Sequence, residues 1–314
     1  MCLGEQPDVL VVFKARHAKA RALGLEVVAW LEARGFGARL CESGGEAGCK
    51  GAAEHAGAGL PRPARCVIVL GGDGTILGVA RRFAFSGIPL FGINFGRVGF
   101  LTTAEPANWQ ERLETALAPE TPVRSCLALR WQVMRGGSLV GEGVAINDVV
   151  VGRGALARLM GLGVTVDGCP MGVLRCDGLV CCSPVGSSGY SASAGGSIIF
   201  PGMDAIGLTP ICPCAGAVAP LVLPGVSVCR VSVGTCTEAW LTVDGQEGLP
   251  LLGGDEVRIS GAPDGVRFLG GVRFFERLRV RGFALDADGC GEEGAWAPPA
   301  PQVPGAPAAR REGE

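Results

Sequence analysis

Asp73 is the one carboxylate in the glycine-rich segment Gly71-Gly72-Asp73-Gly74-Thr75, and the apolar run Cys66 to Leu70 discharges directly into it. The run reads as a buried strand and Ile76 to Phe85 as a helix, so the glycines stand where a strand meets a helix N-terminus. Backbone N–H groups converge on anions at such a turn. Three glycines within four positions let a phosphate reach the main chain without a Cβ in the way. An acid among them repels phosphate, which points to proton transfer or metal handling rather than to binding alone. Simpler readings also exist: the glycines could merely close the turn, and Asp73 could cap the helix.

Three more polar clusters carry chemistry. Asn94-Phe95-Gly96-Arg97-Val98-Gly99-Phe100-Leu101 follows the apolar stretch Ile88 to Ile93 and again places glycines at a strand end, with Phe100 offering a flat face. Ligands bind beyond the carboxyl ends of strands in an open parallel sheet, so the two loops could line one crevice. Asn147-Asp148 interrupts the apolar run Ala145 to Val151. Two buried polar residues there are costly unless one meets a ligand or both sit in a bulge or turn. The third cluster runs from Arg175-Cys176-Asp177-Gly178 into Ser183-Pro184-Val185-Gly186-Ser187-Ser188-Gly189-Tyr190-Ser191-Ala192-Ser193-Ala194-Gly195-Gly196 and holds the chain's single tyrosine. Tyr190 could instead be a core residue, and Arg175 a surface arginine.

The elements that must position these residues fall into two textures. Asp8 to Phe13 reads as a strand and Arg16 to Arg34 as a helix with Leu23, Val27, Trp30 and Leu31 on its apolar face. A glycine-rich loop covers Ser43 to Pro63, then strand and helix alternate through a helix from about Pro106 to Leu117. That alternation predicts an α/β domain with a mainly parallel sheet. From about Val123 short runs separated by Gly, Pro, Asp and Ser predict a β-rich domain: Leu127 to Met134, Ala145 to Val151, Gly163 to Val166, Gly178 to Cys182, Val226 to Val233, Ala239 to Val243 and Glu256 to Ile259. Arg273 to Val280 reads as a late helix, and the proline-rich stretch beyond Ala284 as disordered. The expected division is residues 1–124 (α/β), 125–265 (β-rich), 266–283 (the late helix) and 284–314 (tail).

Charge is nearly balanced, 28 Lys+Arg against 30 Asp+Glu, so no field points to nucleic acid or membrane. The balance hides a tail: from Ala284 on, six acids and two bases leave a net of −4, and the remainder at +2 tolerates a polyanionic ligand. No apolar run reaches the roughly 18 residues of a membrane helix, and Met1 to Lys14 has no secretory pattern. The expectation is a cytoplasmic chain. Its 14 cysteines are scattered and often lie in apolar runs, which predicts buried free thiols rather than disulfides. His17 and His55 lie outside every cluster, leaving little support for histidine acid–base schemes or a Ser-His-Asp triad.

The clusters, in this order and spacing, resemble the NAD kinases. The likeness rests on GGDGT at 71–75, N-x-G-x-x-G-F-L at 94–101, the pair at 147–148 and D-G-L…S-P-x-G-S-x-x-Y-S-x-S-A-G-G from 177 to 196. It continues through Pro201 to Ile206, Leu208 to Pro213, Asp244-Gly245-Gln246 and Phe274 to Leu278, covering about residues 8 to 283. It implies an N-terminal α/β domain, a C-terminal β-rich domain, a final helix packing back on the first domain, and homodimers or homotetramers. The implied reaction transfers the γ-phosphoryl of ATP to the adenosine-ribose 2′-hydroxyl of NAD, giving NADP, with a divalent metal, Mg²⁺ or Mn²⁺. By the same resemblance Asp73 takes or orients the hydroxyl proton, and Gly71, Gly72, Gly74 and Thr75 cradle phosphates. Asn147 and Asp148 hold the ribose and adenine of NAD, beside Gly74, with Leu77 and Phe100 as apolar walls. Ser188, Tyr190 and Ser193 contact the adenine and nicotinamide sides, Asp177 reaches the nicotinamide end, and Arg175 meets the new 2′-phosphate.

The chain departs from the family pattern at several positions. Asp148 stands where Glu is usual, Val185, Ser188 and Gly189 where threonines and an alanine are usual, and Cys214 where many members have histidine. Lipid kinases of the diacylglycerol and sphingosine type share G-G-D-G-T and the two-domain plan but do not usually carry the D-G…S-P-x-G-S-x-x-Y stretch. A non-catalytic dinucleotide sensor derived from a kinase is the other alternative, and a pure binder gains nothing from Asp73.

Overall fold

The structure is a computed structural model that describes residues 9–44, 64–96, 99–154, 159–214, 218–234, 238–270 and 274–279. Most of the expected 43–63 loop and the whole 284–314 tail lie outside these residues. Met1–Phe274 makes one compact unit and Phe275–Glu314 a second.

Strand β1 (Val9–Phe13) and strand β3 (Cys66–Gly71) are buried at every residue. Unbroken burial is what a central parallel strand covered on both faces requires. Both pair in parallel: β1 lies between β2 (Ala38–Glu42) and β3, and β3 pairs onward with β4 (Pro89–Asn94). Helix α1 (Ala18–Glu32) buries Ala20, Leu23, Val27 and Leu31, and the His17 ring nitrogen Nδ1 accepts from the Ala20 N–H at 3.1 Å. A histidine outside every motif thus serves as a helix cap.

The chain then builds β5 (Val123–Arg135), β6 (Ser138–Ala145), β7 (Asp148–Arg153), β8 (Met160–Val166), β9 (Cys169–Cys176) and β10 (Gly178–Cys182). After the cluster at Ser183–Gly196 come β11 (Ala205–Ile211), β12 (Leu221–Pro224), β13 (Val228–Val233), β14 (Ala239–Val243), β15 (Glu247–Leu251) and β16 (Glu256–Leu269). The second half is β-rich, as expected, with more strands than the apolar runs announced: β6, β9, β11, β12 and β15 had no counterpart. Solvated edge strands such as β9, exposed at most positions, have no apolar face to reveal them.

Two sheets result. The ten-stranded one runs β2-β1-β3-β4-β16-β13-β8-β9, with β5 on β16 and β6 on β5. Strand β16 joins the two textures: Arg267 and Phe268 pair in parallel with Pro89 and Leu90, while Val257 and Ile259 pair antiparallel with Val231 and Cys229. Along its other edge β16 pairs antiparallel with β5, with a register shift between Ala262 and Val266. The six-stranded sheet runs β12-β11-β10-β7-β14-β15, antiparallel throughout. Its core-facing residues, among them Val149, Val151, Leu179, Cys181, Leu208 and Leu241, pack against Leu129, Leu162, Val231 and Ile259 of the other sheet.

Helix α2 (Asp73–Arg82) begins three residues earlier than the apolar pattern suggested, because glycine conceals helical periodicity. Gly72 is its N-cap, and Asp73 is the first helical residue rather than the cap. Its buried face (Ile76, Leu77, Val79, Ala80) joins Val67 and Val69 of β3, and also Ile146 and Val185. Full burial of one such aliphatic side chain contributes about 1.5–3 kcal/mol. Because Ile146 and Val185 precede Asn147 and Gly186, the same apolar contact aligns the GGDGT turn with both downstream clusters. It also explains Val185, which fills an apolar contact with no need of a hydroxyl. The helix from Pro106 starts at Trp109 and ends at Leu117 as expected. The late helix spans Phe274–Leu278.

Among the described residues ten cysteines are free and none is in a disulfide; seven are buried. Burial pushes the Cys66 thiol up to about 12 and the Cys126 thiol up to about 11, as expected of inert core thiols. No described helix is long and apolar enough to cross a membrane.

Candidate active site

The GGDGT turn uses its glycines for different reasons. A Cβ on Gly71 would come within 2.6 Å of the Thr75 side chain, so the strand end needs a hydrogen there. Gly72 is extended with nothing near its Cβ position, and its carbonyl accepts the N–H groups of Thr75 and Ile76 at 2.9 and 3.1 Å. The helix start therefore faces open space, the geometry in which an anion can approach N–H groups. The Asp73 carboxylate turns to the 94–101 loop, accepting the Phe100 N–H at 2.9 Å and the Leu101 N–H at 3.2 Å. A Cβ on Gly99 would run into that carboxylate. Phe95 N–H donates to the Gly71 carbonyl at 3.1 Å, tying the same loop to the strand end. The Phe100 ring lies 6.2 Å from that of Phe274.

Asn147 stands at a corner, and Asp148 opens the strand that leaves it. The run Ala145 to Val151 is split because β6 ends at Ala145 and β7 starts at Asp148. What holds the corner is Asp244, which the sequence offered only as part of the family likeness. Its Oδ1 accepts the N–H groups of Ile146, Asn147 and Asp148 at 3.1, 2.7 and 3.1 Å. Gly186 packs so close that a Cβ would strike the Asn147 backbone, and Ser183 N–H donates to the Asn147 carbonyl at 2.8 Å. The Asn147 Oδ1 is buried without a hydrogen-bond partner among the described residues. Such an orphan acceptor calls for a donor from a ligand or water. Asp148 is 5% exposed, and its carboxyl is pushed up to about 7, first by burial and then by the nearby Asp244 carboxylate.

Asn147 and Asp148 open on a cleft of about 660 Å³, lined also by Asp177, Tyr190 and Asp244. Tyr190 opens a one-turn helix, Tyr190–Ser193, and is 50% exposed, so the core-tyrosine reading falls. Asp177 pairs with Arg153 at 3.0 Å. Arg153, Val150 and Gly152 also line the cleft, and sequence reasoning missed them. Strand alternation from Asp148 would have found Val150 and Gly152 on the same face. Arg153 carried no local signal.

The remaining expected residues, with Asp73, Gly71, Gly72, Gly74, Thr75 and Phe100 among them, fall outside this lining. Leu77 is buried in the core beneath α2. Arg175 is exposed on β9, where its carbonyl accepts the Cys214 N–H at 2.8 Å. Ser188 is half-buried in a 3₁₀ turn, Gly186–Ser188, and Ser193 is exposed. The buried hydroxyls of that cluster have structural work: Ser187 binds the Pro184 and Ile199 carbonyls, and Ser191 contacts Thr209.

Comparisons with known proteins accord with this geometry. The model of the ATP-NAD kinase N-terminal domain matches residues 9–121, and that of the ATP-NAD kinase C-terminal domain matches residues 146–270. An NAD kinase of Nitratidesulfovibrio vulgaris (strain DP4) is 46% identical over 283 residues, covering 89% of this chain and 92% of the relative. One of Oleidesulfovibrio alaskensis is 40% identical over 294 residues, covering 91% and 97%. The crystal structure of an NAD kinase from Archaeoglobus fulgidus in complex with ATP superposes with a TM-score of 0.68 at 25% identity, over 87% of this chain and 98% of that one. Yeast NADH kinase complexed with NADH shares the fold, with a TM-score of 0.73 at 23% identity over 90% and 89%. Since both domain models match in order along the chain, and relatives align over nearly their whole length, the chain belongs to the NAD kinase family and is a phosphotransferase.

Proposed function

We propose that the chain phosphorylates NAD at the 2′-hydroxyl of its adenosine ribose, with Asp73 accepting the hydroxyl proton as the oxygen attacks the γ-phosphorus of ATP. The bond from that phosphorus to the β–γ bridging oxygen breaks, so ADP leaves and NADP forms. Such transfer needs placement and charge neutralisation more than covalent help, and one base with backbone donors supplies much of that. The observation that carries the reading is the Asp73 carboxylate beside an open helix start, gripped by the Phe100 and Leu101 N–H groups. Its aim is thereby held steady.

In this reading residues 1–124 supply the phosphate side, with Gly71, Gly72, Gly74 and Thr75, and residues 125–265 the dinucleotide side. Asn147 and Asp148 hold the adenosine; the orphan Asn147 Oδ1 suits a hydroxyl or amino donor. Tyr190 packs on the dinucleotide, Asp177 with Arg153 forms the far end of the cleft, and Phe100, Ser188 and Ser193 close in around the ligand. Leu77 acts through packing, and Arg175 is left to the 2′-phosphate. Mg²⁺ or Mn²⁺, which take oxygen ligands, would be held chiefly by the phosphates of ATP beside the turn. When bound it neutralises phosphate charge. Met171 and Val173, 55% and 74% exposed on edge strand β9, support a homodimer or homotetramer. In this reading the chain works in the cytoplasm.

A sensor without activity and a lipid kinase are not favoured, because both NAD kinase domain models match and the relatives are NAD kinases. The test is NADP formation from NAD, ATP and Mg²⁺ by the purified chain beside its Asp73→Asn variant. Product from the wild type and a loss of orders of magnitude in a variant that still binds NAD is the expected result. Equal turnover would remove Asp73 from its role, and no product with NAD still bound would revive the sensor.

A further inference from the structure

Arg81 lies outside the cleft, in the last turn of α2, and its side chain is 13% exposed. Its Nη1 donates to the Asp244 Oδ2 at 3.1 Å, and its Nη2 donates to the Gln246 Oε1 at 3.0 Å. Gln246 in turn donates from Nε2 to the Gly74 carbonyl at 2.8 Å. The turn between β14 and β15 therefore grips α2 at both ends, at Gly74 in its first turn and at Arg81 in its last. Meanwhile Asp244, with its side chain fully buried and the backbone in the left-handed region at φ 51°, holds the 146–148 corner through three N–H groups.

We infer that Arg81, through Asp244 and Gln246, is a positioning residue that sets where the Asn147–Asp148 corner stands relative to Asp73. This rests on the reading of the cleft given above. The physical need is clear from the charges. Asp244 and Asp148 are two buried carboxyl groups close enough to repel. Among the described residues Arg81 is the cation paired with Asp244, and the Glu247 carboxylate, 3.0 Å from Arg81 but 63% exposed, competes only weakly through solvent. Removing one partner of a buried pair leaves an uncompensated charge. Asp244 would then draw on water or a proton, loosening its hold on three N–H groups. The Asn147–Asp148 corner would then lose the fixed geometry that receives NAD, and binding that has to order its own site is weaker.

The experiment compares wild type, Arg81→Met, Arg81→Lys, Asp244→Asn and the double variant Arg81→Met/Asp244→Asn in steady-state kinetics against NAD and ATP, with thermal unfolding of each. Arg81→Met is expected to raise the KM for NAD about tenfold or more, with the KM for ATP within about twofold and the protein folded. A lysine keeps the charge but cannot span Asp244 and Gln246 together, so Arg81→Lys should fall between. The double variant should be no worse than Arg81→Met, since no lone buried charge remains. A merely structural role would lower activity only in proportion to the folded fraction and leave the KM for NAD unmoved, and that result overturns the inference. Should Arg81→Met fail to fold, an unchanged KM for NAD in Arg81→Lys overturns it equally. Asn147→Ala, assayed alongside, separates the two levels of argument. If it leaves NAD binding intact, the cleft reading fails; if it weakens binding while the Arg81 variants do not, only the positioning role fails.

Discussion

The Asp73 carboxylate and the Phe100 N–H meet at 2.9 Å, across 27 residues of chain. Gly99, next to Phe100, is packed so that any Cβ would collide with the same carboxylate. Close approach of this kind gives Gly99 a role that no motif statistic conveys.

Gly99→Ala is accordingly expected to push Asp73 off its aim while leaving its chemistry present. Turnover should fall by at least about tenfold, with NAD affinity changed little because the cleft walls at Asn147 and Tyr190 are untouched. Turnover measured against NAD binding checks this, and an alanine variant with wild-type turnover would show that the contact does not matter.

Tyr190 is half exposed at the cleft, so truncating it empties no core. Tyr190→Ala should weaken NAD binding by about 1–3 kcal/mol through lost aromatic contact, and the midpoint of thermal unfolding should hardly move. Calorimetric titration with NAD decides the matter; equal affinity would detach the ring from the ligand.

Asp148 gives a pH signature. Its folded-state value is raised from 3.8 to about 7, chiefly by burial. Between those values the folded chain keeps a proton that the unfolded chain has lost, so the slope of stability with pH is negative there. The contribution is complete below the unfolded value and is lost as pH rises through the folded one. Asp148→Asn cannot ionise and should lack this fall, making it relatively more stable than wild type at about pH 8 than at about pH 5. Denaturant unfolding of both proteins across that range tests it, and parallel profiles would refute the shift.

Much of the site was legible without a structure because it is written in short, contiguous strings. A β-branched run ending in glycines announces a strand, a turn and a helix start, and the structure has them at Cys66–Gly71, Gly72 and Asp73–Arg82. Tyr190, Asp177, Asn147 and Asp148 were each singled out locally and converge on one cleft. Helix α2 was misplaced by three residues, since glycine obscures the apolar period. The break at Asn147 was hidden because the group that makes it, Asp244, lies 97 residues away.

The sequence by itself determined the order of the elements, the glycine-rich turn between strand and helix and the carboxylate set in it, because backbone geometry at a turn depends on adjacent residues. Only the tertiary structure decided which elements share a boundary: that β16 joins two textures into one sheet, that Ile146 and Val185 pack under α2, and that Arg81 meets Asp244 across 163 residues. Hydrogen bonds and packing over such separations leave no periodic trace in the chain. They follow from which buried surfaces and charges must be satisfied together once the fold has closed.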